Sequence, residues 1–296
     1  MASGPIIQNT ITPLVVIVGP TASGKTSLAI RLAKRYGGEI ICADSRTVYR
    51  GMNIGTAKPS LSERQEVSHW GIDLVSPGDS FSVAQFKEYA NQKIKEIRGR
   101  RRIPFLVGGT GLYVDAIVFD FQFGEGYIQD RRDDLQKMTI DQLQDYCTRR
   151  GVKLPENSKN KRYLIRSIER AGQAISRRSR PLDNIIIVGI TTEKQLIKQR
   201  ITDRAKKMLK DDVVEETIAS ARNHGWKNEA MTGNVYPIIK KIVEGTITED
   251  RVIQEFVKTD MSLVKRQLTW FRRNPFIEWG ALESCEHYLS QLLDGK

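Results

Sequence analysis

Residues Gly19-Pro20-Thr21-Ala22-Ser23-Gly24-Lys25-Thr26 fill every position of the pattern GxxxxGK[ST]. Before them, Pro13-Leu-Val-Val-Ile-Val-Gly19 reads as a short buried strand, and a helix is expected from about Lys25 to Tyr36. Strand, glycine-bounded loop and helix form the context in which this pattern holds phosphate. Glycines let successive backbone N–H groups curl around the anion, and the helix N-terminus adds positive potential. Lys25 is placed to reach the outer phosphate, and Thr26 to offer a hydroxyl to Mg²⁺. A di- or triphosphate site is therefore expected at the head of the chain.

Further apolar runs repeat the strand-and-helix rhythm. Glu39-Ile-Ile-Cys-Ala43 reads as a second strand, ending at Asp44. Ile103-Pro-Phe-Leu-Val-Gly108 reads as another, preceded by a helix over about Val83 to Arg98 and followed by a glycine-rich turn; Asn184-Ile-Ile-Ile-Val-Gly189 is a further one. Strands that alternate with helices and are apolar on both faces indicate an α/β fold, here a P-loop parallel sheet flanked by helices. From 124 to 181 the pattern turns helical, polar and basic, with a capping box at Thr139-Ile-Asp-Gln142. After Thr192 the chain reads as helices to its end. The expected organisation is a catalytic core at 13–123 and 182–296, interrupted by an inserted helical subdomain at 124–181.

Charge is concentrated in that insert. Residues 149–180 hold eleven Lys and Arg against Glu156 and Glu169, a net +9 within a chain of net +12. A polyanionic partner accounts for such density, since each neutralised phosphate releases counterions; a merely solvated face is the alternative. The three cysteines, Cys42, Cys147 and Cys285, lie far apart and show no CxxC pairing. They offer neither a zinc ribbon nor a disulfide framework, which fits a reducing cytoplasm. No run is long enough to span a bilayer, and no signal peptide is expected.

The phosphate loop alone does not say which diphosphate is bound. Kinases and ATPases usually carry an acidic residue at the end of a later apolar strand, to hold Mg²⁺. Here that strand ends Phe105-Leu-Val-Gly-Gly-Thr110-Gly111, and the carboxylate instead ends the second strand, at Asp44. Asp44 is then a base beside the phosphates, a helix cap or a magnesium ligand; the residues alone leave this open.

Four further blocks carry a family resemblance. Asp44-Ser45-Arg46-Thr47-Val48-Tyr49-Arg50-Gly51-Met-Asn-Ile-Gly55-Thr56-Ala57-Lys58-Pro59 is similar to the DSRQVYxGxxIGTAKP block of bacterial tRNA dimethylallyltransferases. Val107-Gly-Gly-Thr110-Gly-Leu-Tyr113 resembles their VGGTGLY turn, Arg200 to Arg204 their paired-arginine helix, and Lys265-Arg266-Gln267-Leu-Thr269-Trp270-Phe271-Arg272-Arg273 their KRQxTWFR block. With the phosphate loop, these span nearly the whole chain in the family's order.

The resemblance implies transfer of a dimethylallyl group from dimethylallyl diphosphate to the N6 amine of the adenosine 3′ of the anticodon in tRNA. Asp44 would be the general base, with Thr110 close to it and to the adenosine. The phosphate loop would hold the diphosphate with Mg²⁺, and Arg204, ahead of Arg200, would be a second clamp. Ser45, Arg46 and Thr47 would line the adenosine pocket, which a flipped nucleotide must enter. Lys265, Arg266, Gln267, Trp270 and Arg272 would face tRNA, and Arg132, Arg162 and Arg166 would grip it near the anticodon stem-loop.

Some positions depart from the family pattern. Its Asn-Asp-Pro is Lys159-Asn160-Lys161 here, its middle arginine is Tyr163, its Gly-Tyr pair is Val235-Tyr236, and its His-His pair is His69-Trp70. Rival readings are an adenylate dimethylallyltransferase acting on free nucleotide, a P-loop small-molecule kinase, and a non-catalytic RNA-binding protein. A cytoplasmic monomer is expected, with tRNA and the prenyl diphosphate as partners and no membrane.

Overall fold

The computed structural model describes residues 12–123, 134–169 and 176–295. Strand β1 (Leu14–Val18) is buried along its whole length, as its unbroken aliphatic sequence requires. It leads into α1 (Lys25–Tyr36), then β2 (Gly38–Cys42), a short α2 (Leu61–Glu66) and a two-residue β3 (His69–Trp70). Helix α3 (Val83–Gly99) starts at Ser82, whose side chain accepts from the Gln85 N–H while Gln85 bonds back, a reciprocal cap. Strand β4 (Ile103–Gly108) and α4 (Gly111–Val118) follow. Beyond the basic segment come β5 (Ile185–Ile190), the helices α7 (Lys194–Lys210), α8 (Val213–His224), α9 (Tyr236–Val243) and α10 (Glu249–Phe271), then β6 (Glu278–Gly280) and α11 (Leu282–Asp294).

The six strands form one sheet in the order β3-β2-β4-β1-β5-β6, every pair parallel. One of them corrects the expectation from sequence: β6 interrupts a stretch expected to be helical to the end. β3 falls in a stretch that carries no strand signal. Both are only two or three residues long and half-buried or exposed, so they carry no apolar run to mark them. The chain steps from β1 past β4 to β2, and later returns to β1's other side with β5. That reversal opens a crevice at the carboxyl ends of the central strands, where ligands of open α/β sheets bind. One core packs α1 and α11 on the sheet through Leu28, Leu32, Phe105, Val188, Cys285 and Leu289. A second joins α7, α8, α9 and α10 through Ala205, Val213, Ile239, Val252 and Phe256.

The chain divides into two compact units, 1–118 with 181–296, and 119–180. In the second unit, α5 (Ile140–Arg149) starts at the Thr139–Gln142 capping box, and α6 (Lys161–Glu169) follows. Leu143, Cys147, Leu164, Ile165 and Ile168 form this unit's own small core.

Candidate active site

The loop between β1 and α1 brings Gly19 to Thr26, the expected phosphate-binding residues, to the carboxyl edge of the sheet. Gly24 precedes α1 in the left-handed region with φ of 92°. The Lys25 ammonium donates to the Pro20 carbonyl at 3.1 Å, folding back over the loop. Burial pushes the Lys25 pKa down to about 8; the Asp44 carboxylate opposes that shift and the Arg204 guanidinium adds to it. Lys25 therefore lies within electrostatic reach of both groups at the end of the sheet. Ser23 is buried, and its hydroxyl has no hydrogen-bond partner among the described residues.

Asp44 follows β2 by two residues. Its Oδ1 accepts the Arg46 N–H at 2.8 Å, so one oxygen anchors the turn. Thr110, just beyond β4, accepts the Ser45 N–H at 3.0 Å through Oγ1, and its own N–H donates to the Ala43 carbonyl at 3.1 Å. The turns after β2 and β4 are therefore tied together beside Asp44. Thr47 is 6% exposed and its hydroxyl donates to the Asp44 carbonyl at 3.2 Å, while the Arg46 guanidinium donates to the Glu229 carbonyl at 2.7 Å. In this structure both side chains brace the Asp44 turn.

Arg200 and Arg204 reach the phosphate loop from α7. Arg200 donates to the Ala22 carbonyl at 3.2 Å, and Arg204 to the Thr21 hydroxyl at 2.7 Å. Arg204 also forms a 2.5 Å ion pair with Asp260 of α10, whose other oxygen accepts from Asn234 at 2.8 Å. The spacing of the two arginines puts both on one helix face. Asp260 and Asn234, which fix the guanidinium, went unnoticed in the sequence.

Helix α10 carries the Lys265–Phe271 part of the block, with Arg272 and Arg273 in the turn that ends it, and divides it between two faces. Lys265, Arg266, Arg272 and Arg273 are exposed. Gln267 and Trp270 turn inward: Gln267 bonds the Thr21 N–H and the Gly109 carbonyl, and the Trp270 indole donates to Asp115 at 2.8 Å. A Cβ on Gly111 would lie 2.1 Å from the Trp270 ring, so the glycine-rich turn is the seat of this helix. Gln267 and Trp270 are half-buried, while the cations of the block, expected to face tRNA, lie on the exposed side.

The Gly51–Pro59 part of the Asp44 block is built as scaffold. The Glu216 carboxylate accepts the backbone N–H groups of Asn53, Ile54 and Gly55 at 2.7–2.9 Å and the Tyr236 hydroxyl at 3.2 Å. The Lys58 side chain, 1% exposed, bonds Asp73 at 2.6 Å and the Tyr49 carbonyl. The two departures His69-Trp70 and Val235-Tyr236 are structural here. Tyr236 is buried against Gly55, and Trp70 donates to Glu39 at 2.7 Å.

Comparison with known proteins bears on this arrangement. The IPP transferase model matches residues 47–274, well over half of the chain, and the isopentenyl transferase model matches residues 12–73. The chain belongs to the IPP transferase family. It is 38% identical to the tRNA dimethylallyltransferase of Desulforudis audaxviator over 92% of this chain and 93% of that one. It is 36% identical to that of Carboxydothermus hydrogenoformans, over 95% and 96%. The crystal structure of the full-length tRNA isopentenylpyrophosphate transferase of Bacillus halodurans shares the fold with a TM-score of 0.73 and 32% identity, over 96% and 97%.

Among the sequence-predicted site residues of this family member, the loop 19–26, Asp44, Ser45, Thr110 and Arg204 come together within the first unit. Arg166 is exposed on α6 of the second unit, as is Tyr163. Arg132 and the side chain of Arg162 lie outside the described residues. Among the described residues, no helix is long and apolar enough to cross a membrane.

Proposed function

We propose that this chain transfers a dimethylallyl group from dimethylallyl diphosphate to the N6 amine of the adenosine 3′ of the anticodon in tRNA, releasing diphosphate. The observation that carries the reading is that Lys25 and Arg204 both bond the β1–α1 loop, while Asp44 ends the turn after the neighbouring β2 at the same edge of the sheet. A kinase would place its carboxylate on a metal instead.

The exocyclic amine of adenine is a weak nucleophile. As its nitrogen attacks the first carbon of the prenyl group, the carbon–oxygen bond to diphosphate breaks, and Asp44 takes the proton that the nitrogen loses. With Oδ1 held by the Arg46 N–H, Oδ2 is the oxygen that receives it. Charge growing on the diphosphate is met by loop N–H groups, Lys25 and Arg204, oriented before the substrate arrives. Thr110 and Ser45 border the acceptor side.

Mg²⁺ fits the donor set present. Among the described residues no three His, Cys, Asp or Glu side chains converge as a metal cage. Mg²⁺ keeps several waters and binds readily through one protein oxygen with substrate phosphates. Thr26 would hold it, and the ion would neutralise charge on the departing diphosphate. The exposed cations Lys265, Arg266 and Arg272, with the basic residues of 149–180, suit the phosphates of tRNA. The protein would act in the cytoplasm as a monomer.

The test is to incubate the protein with dimethylallyl diphosphate, Mg²⁺ and either unmodified tRNA or AMP, then digest the tRNA and weigh the nucleosides of both reactions. An adenosine heavier by one dimethylallyl group is expected. Unmodified tRNA together with prenylated AMP would favour the free-nucleotide reading.

A further inference from the structure

Gln267 uses both ends of one carboxamide. Its Oε1 accepts the Thr21 N–H of the phosphate loop at 2.8 Å, and its Nε2 donates to the Gly109 carbonyl at 3.1 Å. A primary amide accepts through its oxygen from the one and donates through its nitrogen to the other. A glutamate would turn a carboxylate oxygen toward the Gly109 carbonyl, and an apolar side chain would lose both bonds.

The chain of bonds continues toward the acceptor side. Thr110 follows Gly109 and accepts the Ser45 N–H, and Ser45 follows Asp44. One side chain of α10 therefore spans from the loop that grips the leaving diphosphate to the turn that frames the base. The fit is close, because a Cβ on Gly109 would lie 2.2 Å from Nε2. Helix α10 is anchored separately, by Asp260 on Arg204 and by Trp270 on Asp115. Losing the amide should leave the helix docked but the two halves of the site free to drift.

We propose that Gln267 is a positioning residue that sets the spacing between the leaving diphosphate and the adenine nitrogen. The inference rests on the transfer reaction above. It separates Gln267 from its exposed neighbours Lys265 and Arg266, whose place is on the tRNA backbone.

The experiment compares the wild-type chain with Gln267→Met, which nearly keeps volume but makes neither bond, and Gly109→Ala, which keeps the amide but pushes it away. Single-turnover transfer at saturating donor and tRNA is measured with the KM for each. Each variant should slow the chemical step by roughly 10- to 100-fold, the scale expected when reacting groups are misplaced by about an ångström. The KM for tRNA should stay within about threefold, since the groups that meet tRNA phosphates are untouched. The double variant should be no slower than the worse single one, because both break the same bridge. If Gln267→Met does not fold, Gly109→Ala carries the same prediction.

Full single-turnover rates in both variants would overturn the proposal. So would a loss confined to the KM for tRNA with a flattened salt dependence, which marks a surface contact. A wild-type chain unable to prenylate tRNA would overturn the transfer reading, and this proposal with it. An active wild type with unimpaired variants would overturn this proposal alone.

Discussion

Asp44 has one oxygen committed to the Arg46 N–H, so replacing it should disturb chemistry more than binding. Asp44→Ala is expected to slow transfer about a hundredfold or more, with donor and tRNA still bound, the loss typical of a missing general base. Rapid-quench kinetics with separate binding titrations check this, and near-wild-type turnover would remove Asp44 from the mechanism. Lys25→Ala and Thr26→Ala should instead raise the KM for the donor or the Mg²⁺ requirement, with little effect on tRNA affinity. At this scale the phosphate loop was fully legible, because its spacing is dictated by the anion. Asp260 was missed although a signal existed. It lies on a stripe with Phe256, Val264 and Phe271, all buried. A carboxylate on such a stripe demands a cation, and Arg204 supplies it.

Among the elements, β2, β3 and the end of α3 are pinned by Glu39. Its side chain is 2% exposed and accepts from Arg100 at 2.8 Å, Arg102 at 3.4 Å and Trp70 at 2.7 Å. Burial works against the charged carboxylate, but these bonds and the two guanidinium charges outweigh it and hold the Glu39 pKa below its ordinary value. The stabilisation is therefore full above the unfolded pKa of about 4.3, and is lost as pH falls through the lower folded value. Glu39→Gln should cost about 1–3 kcal/mol at pH 7, and the gap to wild type should close in strongly acidic buffer. Chemical denaturation at both pH values is the measurement, and a pH-independent gap would contradict it. Glu216 plays a similar part between α8 and residues 53–55. Glu216→Ala should cost about 2–3 kcal/mol by stranding three N–H groups, read as a lower denaturation midpoint. The long apolar strands were legible from sequence because both faces are buried. The short β3 and β6 were not, since their pairing is decided by neighbours distant in the chain.

For the whole molecule, the proposed reading gives the chemistry to one compact unit and an electrostatic hold on tRNA to the basic residues 149–180, which net +9. Arg162→Ala with Arg166→Ala should raise the KM for tRNA and flatten its salt dependence, by roughly 0.7–0.9 logarithmic units of slope for each phosphate no longer neutralised. The donor KM should hardly move, and superimposable salt titrations would make the segment a solvated face. Charge density announced a polyanion but not which one, since any phosphate backbone satisfies it. The departure at Tyr163 likewise had no reading until α6 placed it, exposed. The central claim is that the acceptor is an adenosine held within tRNA. Its most direct measurement is a competition in which labelled dimethylallyl diphosphate, Mg²⁺ and the protein meet tRNA and AMP together. Label should enter tRNA and not be diverted by excess AMP. Label accumulating on AMP while tRNA stays unmodified would contradict the claim.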